Sequence, residues 1–149
     1  MPRQVDVSNK EVVYREATAT GRIRLKRGTV ELIRKGGLEK GDPIPLAEAA
    51  SVLATKLTPN VVLLAHPLKI EKVEPSVRLG EDWVEVTVKV AAHDRTGVEM
   101  EALTAVSVAL LNIWDVVKGN EKDSEGQYPG TSIESIRVTK KVKKQVEAA

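Results

Sequence analysis

The stretch Trp83-Val84-Glu85-Val86-Thr87-Val88-Lys89-Val90 alternates valine with other residues without a break. Side chains along a strand point to opposite faces in turn, so the four valines share one face while Glu85, Thr87 and Lys89 share the other. A strand of this kind needs cover on one side only, which places it in an antiparallel sheet with one buried and one solvated face. The covering layer must be aliphatic. The chain of 149 residues has no phenylalanine, and Trp83, Trp114, Tyr14 and Tyr128 are its only aromatic residues. That length fits one domain, 1–149, built on one core.

The flanking segments supply the rest of the architecture. Ala17, Ala19, Ile23 and Leu25 alternate within 12–26 and predict a long first strand. A short helix opens at Gly28-Thr29, with Thr29 as N-cap, and ends at Gly36-Gly37. Leu46, Ala49, Ala50, Leu53 and Leu57 recur at helical spacing in a second helix that Pro59 should terminate. Strands over 68–79 and 83–92 are joined by Gly80-Glu81-Asp82 as a hairpin. A long helix over 97–118 follows, with Met100, Leu103, Leu110, Leu111, Trp114 and Val117 expected to be buried. After a polar loop over 119–130, a last strand directs Ile136 and Val138 inward and Arg137, Thr139 and Lys141 to its other face. Residues 1–10 read as a loose arm. The predicted class is α+β, a ferredoxin-like antiparallel sheet with helices packed on one face.

Several functions fall away on composition. Without cysteine there is no disulfide, no thiol nucleophile and no protein-ligated iron–sulfur cluster. A net charge of +2 does not by itself imply a nucleic-acid partner. No apolar run is predicted to span a membrane, and Met1-Pro2-Arg3-Gln4-Val5-Asp6 carries no signal-peptide core, so a cytoplasmic protein is expected. His66 and His93 are the only histidines and have no zinc-site spacing, and no phosphate-binding glycine loop occurs. No metal and no cofactor are expected.

Four groups of polar residues remain. His66 sits in Ala65-His66-Pro67-Leu68, where Pro67 biases its backbone toward extended geometry. The ring can titrate near neutrality, or serve as a hydrogen-bonded structural histidine. Glu99 and Glu101 flank Met100 at a helix start. Thr96 and Glu99 have capping-box spacing, which accounts for Glu99 without any function but leaves Glu101 unexplained. Asp115 and Lys118 lie three apart, with Lys122 about one turn on. They can form an exposed ion pair, or an acid/base pair whose pKa values the apolar stretch from Val106 to Val117 moves toward neutrality. Lys140, Lys141, Lys143 and Lys144 make a basic run that can be a solvated tail. With Lys40 and Lys56, that run can also neutralise a phosphate-bearing ligand.

These residues stand within longer matching blocks: Asp6-Val7-Ser8, Arg15-Glu16-Ala17, Lys40-Gly41-Asp42, Ala65-His66-Pro67-Leu68, Thr96 through Ala105, and Trp114-Asp115-Val116-Val117-Lys118. Their order over about 5–144 resembles the cyclic pyranopterin monophosphate synthases, also called molybdenum cofactor biosynthesis protein C. The block from Gly97 to Ala105 is the most specific part. The resemblance implies a lyase that converts 3′,8-cyclo-7,8-dihydro-GTP to cyclic pyranopterin monophosphate and diphosphate. It implies Asp115 and Lys118 as the acid/base pair and Lys141, aligned through Ile136-Arg137-Val138, as the C-terminal catalytic or phosphate-binding lysine. It implies His66, Pro67, Glu99, Met100, Glu101 and Lys122 as substrate-binding residues, with Lys40 and Lys56 toward the triphosphate. It further implies a homo-oligomer, a hexamer assembled from dimers with pockets at the dimer interface. The chain departs from the family pattern at Ala65, where a cysteine is usual, and at Val142-Lys143-Lys144-Gln145, which replaces a Gly-Gly-Lys-Ser-Gly segment. Two other readings stand beside it: a non-catalytic nucleotide-binding regulatory domain on the same fold, and an RNA-binding module. The scarcity of aromatic residues for base stacking speaks against the second.

Overall fold

The computed structural model describes residues 1–146. In chain order the elements are β1 (Val13–Arg24), α1 (Arg27–Lys35), α2 (Pro43–Val61), β2 (Lys72–Leu79), β3 (Trp83–Asp94), α3 (Glu99–Glu121) and β4 (Ser132–Lys144). The strands form one antiparallel sheet in the order β2-β3-β1-β4, the ferredoxin-like arrangement, with β1 and β3 in the middle. The predicted α+β class and the strand–helix order stand.

The valine stripe of β3 lies in the core, with Val86, Val88 and Val90 each fully buried. Ala17, Ala19 and Ile23 of β1 lie beside it. Alanine at 17 and 19 and glycine at 21 let α3 approach the sheet closely. A Cβ added at Gly21 would meet Val106 Cγ1 at 2.9 Å and both Ile136 Cγ1 and Leu110 Cδ1 at 3.0 Å. Helix α3 is apolar enough by composition to cross a membrane, but it is the central helix of this core.

Three local expectations are corrected. Helix α2 runs on through Pro59 to Val61, because the missing N–H removes one bond while Val62 N still reaches Thr58 O at 2.8 Å. Its leucines do not face the core: Leu46, Leu53 and Leu57 are exposed, and Ala47, Ser51, Ala54, Thr55 and Thr58 make the buried face. The small residues allow close helix packing, and the leucines are left as an outward apolar stripe. Likewise Met100 and Leu111 of α3 are exposed, and Ala102, Ala105, Val106, Ala109 and Ile113 take the inner positions. The apolar run at 61–64 is also surface, with Leu63 and Leu64 exposed in the turn after α2.

Neither predicted threonine cap forms. The N-cap of α1 is Lys26, and buried Thr29 instead donates its hydroxyl to Glu121. The N-cap of α3 is Val98, so Thr96 and Glu99 make no capping box. Glu121 is itself fully buried and accepts from Lys26 N, Thr29 Oγ1 and, at 2.6 Å, Thr131 Oγ1. One carboxylate thus ties the end of α3 to the start of α1 and the approach to β4.

Strand β4 carries two register shifts against β1. At the first, Ser135 has φ 59°, and Ile136 turns toward α3. At the second, Thr139 is the extra residue between Val138, opposite Ala19, and Lys140, opposite Thr18. A bulge of one residue inverts the alternation beyond it. Lys141 therefore lies opposite buried Ala17 on the helix side of the sheet, not on the open face.

Candidate active site

Two polar clusters form, one at each end of α3. The first surrounds its N-terminus. The turn at Ala65-His66 and the segment Thr96-Gly97 face the first turn of α3 across a cavity of about 130 Å³, which Glu99, Met100 and Glu101 also line. His66 Nε2 lies 2.7 Å from Val5 O, and Gln4 Nε2 donates to Ala65 O at 3.2 Å, so the N-terminal arm lies against this turn. The neighbouring cavity, about 280 Å³, is lined by Arg15, Glu16, Gly97, Lys141, Val142 and Lys143. The two are linked by the ion pair of Lys141 Nζ with Glu99 Oε2 at 3.4 Å. That contact does not meet hydrogen-bond geometry, and Glu99 Oε2 and Arg15 Nε are both buried without a hydrogen-bond partner.

The carboxylates here are not equivalent. Glu101 is 2% exposed. Burial, with smaller pushes from Glu99 and Asp94 and against a hydrogen bond from its own backbone, raises its pKa to about 7. Glu99 has the Lys141 ammonium as its partner.

The second cluster lies near the C-terminal end of α3. Asp115 Oδ1 is 2.9 Å from Lys118 Nζ, one turn away, and Asp115 Oδ2 is 3.4 Å from Lys40 Nζ. Lys40 also donates to Asp115 O at 3.1 Å. Gly41, at φ 99°, makes the turn that lets Lys40 reach back while Asp42 caps α2 through Ile44 N. Trp114 and Tyr128 meet edge-on at 5.2 Å and, with Leu111 and Ile133, wall the cavity beside Asp115 and Lys118. Of the two readings open for this pair, the exposed ion pair is the one that forms. Asp115 projects outward, 60% exposed, and Lys118 first, then Lys40, lowers its pKa; Asp115 in turn raises that of Lys118.

Of the residues singled out in the sequence, His66, Glu99, Met100, Glu101 and Lys141 meet at the first cluster, and Lys40, Asp115 and Lys118 at the second. Pro67 is exposed next to His66. Lys122 is the C-cap of α3, 6.0 Å from the Tyr128 ring centroid. Lys56 stands exposed on α2 and lines neither cavity. Arg15 and Tyr128 are site residues to which pattern reading assigned no role. Arg15 left a signal, as a charged residue in the series 15, 17, 19, 23 that otherwise faces the core. Tyr128 left a weaker one, as an aromatic residue in a polar loop of a chain poor in aromatics. Among the described residues, no group of three or more His, Cys, Asp or Glu is placed to hold a metal ion.

This ferredoxin-like domain thus sets lysines and carboxylates beside cavities at both ends of one helix, an arrangement suited to a small charged ligand. The MoaC family model matches residues 4–144. A probable cyclic pyranopterin monophosphate synthase of Thermococcus kodakarensis is 53% identical over 141 residues, covering 95% of this chain and 90% of that relative. Proteins of the same description from Aeropyrum pernix and Pyrococcus furiosus are 55% and 51% identical, over 93% and 96% of this chain and 95% and 92% of their own. The chain belongs to the MoaC family.

Proposed function

We infer that the chain is a cyclic pyranopterin monophosphate synthase, a cytoplasmic lyase of molybdenum cofactor biosynthesis that works as a single domain and without a cofactor. The observation that carries this is the near-full-length match at about half identity, together with the placing of the family's His-Pro-Leu, Glu-Met-Glu and Asp-x-x-Lys residues at two clusters on α3. The substrate is 3′,8-cyclo-7,8-dihydro-GTP. His66, Glu99, Met100 and Glu101 receive the base and sugar. Lys40 and Lys118, both paired with Asp115, oppose the phosphates and the departing diphosphate. Lys141 is the third catalytic group, and Lys56 and Lys122 extend the positive field.

The site is shared between copies of the chain. Glu99 and Asp115 are sixteen residues apart on one helix, about 24 Å of helical rise, so one chain alone does not close both clusters around one nucleotide. Between α2 and α3 runs an apolar groove of about 370 Å³ lined by Leu46, Leu53, Leu57 and Val61 with Thr104 and Val108. A second copy seated antiparallel on this face brings the N-terminal end of one α3 to the C-terminal end of the other. The resemblance extends this dimer to a hexamer.

Incubating the protein with 3′,8-cyclo-7,8-dihydro-GTP should yield cyclic pyranopterin monophosphate and one diphosphate per turnover. Tight binding without either product would turn the reading toward a regulatory domain. No binding at all would defeat both.

A further inference from the structure

The first cavity contains a buried acid that the pairing of charges leaves over. Glu101 leaves the inner face of the first turn of α3 beside Ala102 and Ala105, where an apolar side chain would pack at less cost. The groups that face it are His66 from the turn after α2, Asp94 from the end of β3, and Glu99 on its own helix. The cations nearby make no contact with Glu101: Lys141 of β4 pairs with Glu99, and Arg15 of β1 donates through Nη2 to the carbonyl of Arg95 while its Nε has no partner. Among the described residues no ion pair reaches Glu101, so it meets two negative neighbours and a cavity.

We propose that Glu101 is the proton carrier of this site: a catalytic acid that protonates the substrate's base as its five-membered ring opens, then recovers the proton as the new ring closes. The inference rests on the function proposed above and deepens it. The protonated carboxyl gives its hydrogen to the ring nitrogen whose bond to carbon breaks; the bonding pair stays on that nitrogen, and the lone pair of the second nitrogen on the same carbon forms an iminium in its place. The resulting carboxylate takes a proton from the amine or hydroxyl that adds to carbon in the closing step. One proton leaves and one returns, and no oxidant is required. A carboxyl serves both directions only when its two forms are comparably populated at working pH. Burial puts Glu101 at about 7. The Asp115–Lys118 ion pair moves both of its members away from neutrality. That separation assigns proton transfer to one end of α3 and the holding of phosphate charge to the other.

The test is Glu101→Gln in the full-length protein, which keeps shape and hydrogen-bonding capacity but carries no transferable proton. With 3′,8-cyclo-7,8-dihydro-GTP, kcat should fall by about 100-fold or more while KM stays within about threefold, and the inflection of kcat near neutral pH should vanish. Carbon-13 NMR of glutamate side-chain carboxyls should show one group titrating near neutrality in substrate-free wild-type protein. A variant with kcat within threefold of wild type, or an unchanged inflection, overturns the proposal. So does a wild-type spectrum in which every glutamate titrates in the ordinary carboxylate range, a result independent of whether the variant folds. Wild-type protein that leaves the substrate unconverted overturns the function itself, and this proposal with it.

Discussion

Glu99 and Glu101 are two residues apart on one helical turn and meet opposite surroundings. Glu99 has an ammonium partner, and Glu101 has a buried position and other carboxylates. For Glu101 the folded value, about 7, lies above the unfolded value near 4.5. Its neutral form therefore sits in the fold without penalty below the unfolded value, and that advantage is lost as pH rises through about 7. Ionisation above that point costs on the order of 3 kcal/mol, so Glu101→Gln should raise thermal stability at pH 8 to 9 and leave it nearly unchanged at pH 4 to 5. Calorimetry at the two pH values checks both halves. Asp115 presents the reverse case. It is exposed and its pKa is lowered by Lys118 and Lys40, so little of the fold depends on it. Asp115→Asn should leave the melting temperature and assembly unaltered while removing most turnover. Near-wild-type activity in that variant would remove Asp115 from the catalytic set.

At the scale of elements, the separation of the clusters depends on α3 being anchored at both ends. Its N-terminal end is set by Val98 in the core, and its C-terminal end by Glu121, which gathers α1 and the entry to β4. Glu121→Ala strands three donors in a sealed interior and should cost about 3 kcal/mol, measurable as a lowered urea midpoint. Thr131→Val removes one of the three and should cost about 1 kcal/mol. Gly21→Ala tests the contact of α3 with β1. Its methyl group would press on Val106, Leu110 and Ile136 at about 3 Å, and overpacking of this kind costs about 1–3 kcal/mol. The second bulge of β4 has a functional consequence. Without it the alternation would turn Lys141 to the open face of the sheet, away from Glu99.

At the scale of the whole molecule, the outward leucines of α2 and the separation of the two polar clusters both bear on the shared-site assembly proposed above. If that assembly holds, Leu53→Glu in the apolar groove should shift the sedimentation profile to smaller species and abolish turnover, since each proposed shared site would lose half its residues. Mixing Asp115→Asn protein with Lys141→Ala protein should restore activity as subunits exchange, because some interfaces then regain one intact site. If mixed oligomers form and activity does not return, the site lies within one chain. Rising salt should weaken substrate affinity, because the proposed site sets exposed lysines against phosphates; a flat dependence would argue against that role. What the sequence alone determined about this protein is what depends on short-range periodicity and residue chemistry: the valine-faced strand, the hairpin, the order of elements, the aliphatic core and the residues able to do chemistry. Which apolar residues are core and which are surface was not determined there, because leucine at helical spacing fits either, and it is the small face of α2 that is buried. The tertiary structure alone decided the facing of Lys141, since a bulge of one residue changes no composition yet inverts a strand. It also decided the proton affinities. These depend on which charges fold brings close and how much water it removes, and the linear spacing of Glu101 and Asp115 contains neither quantity.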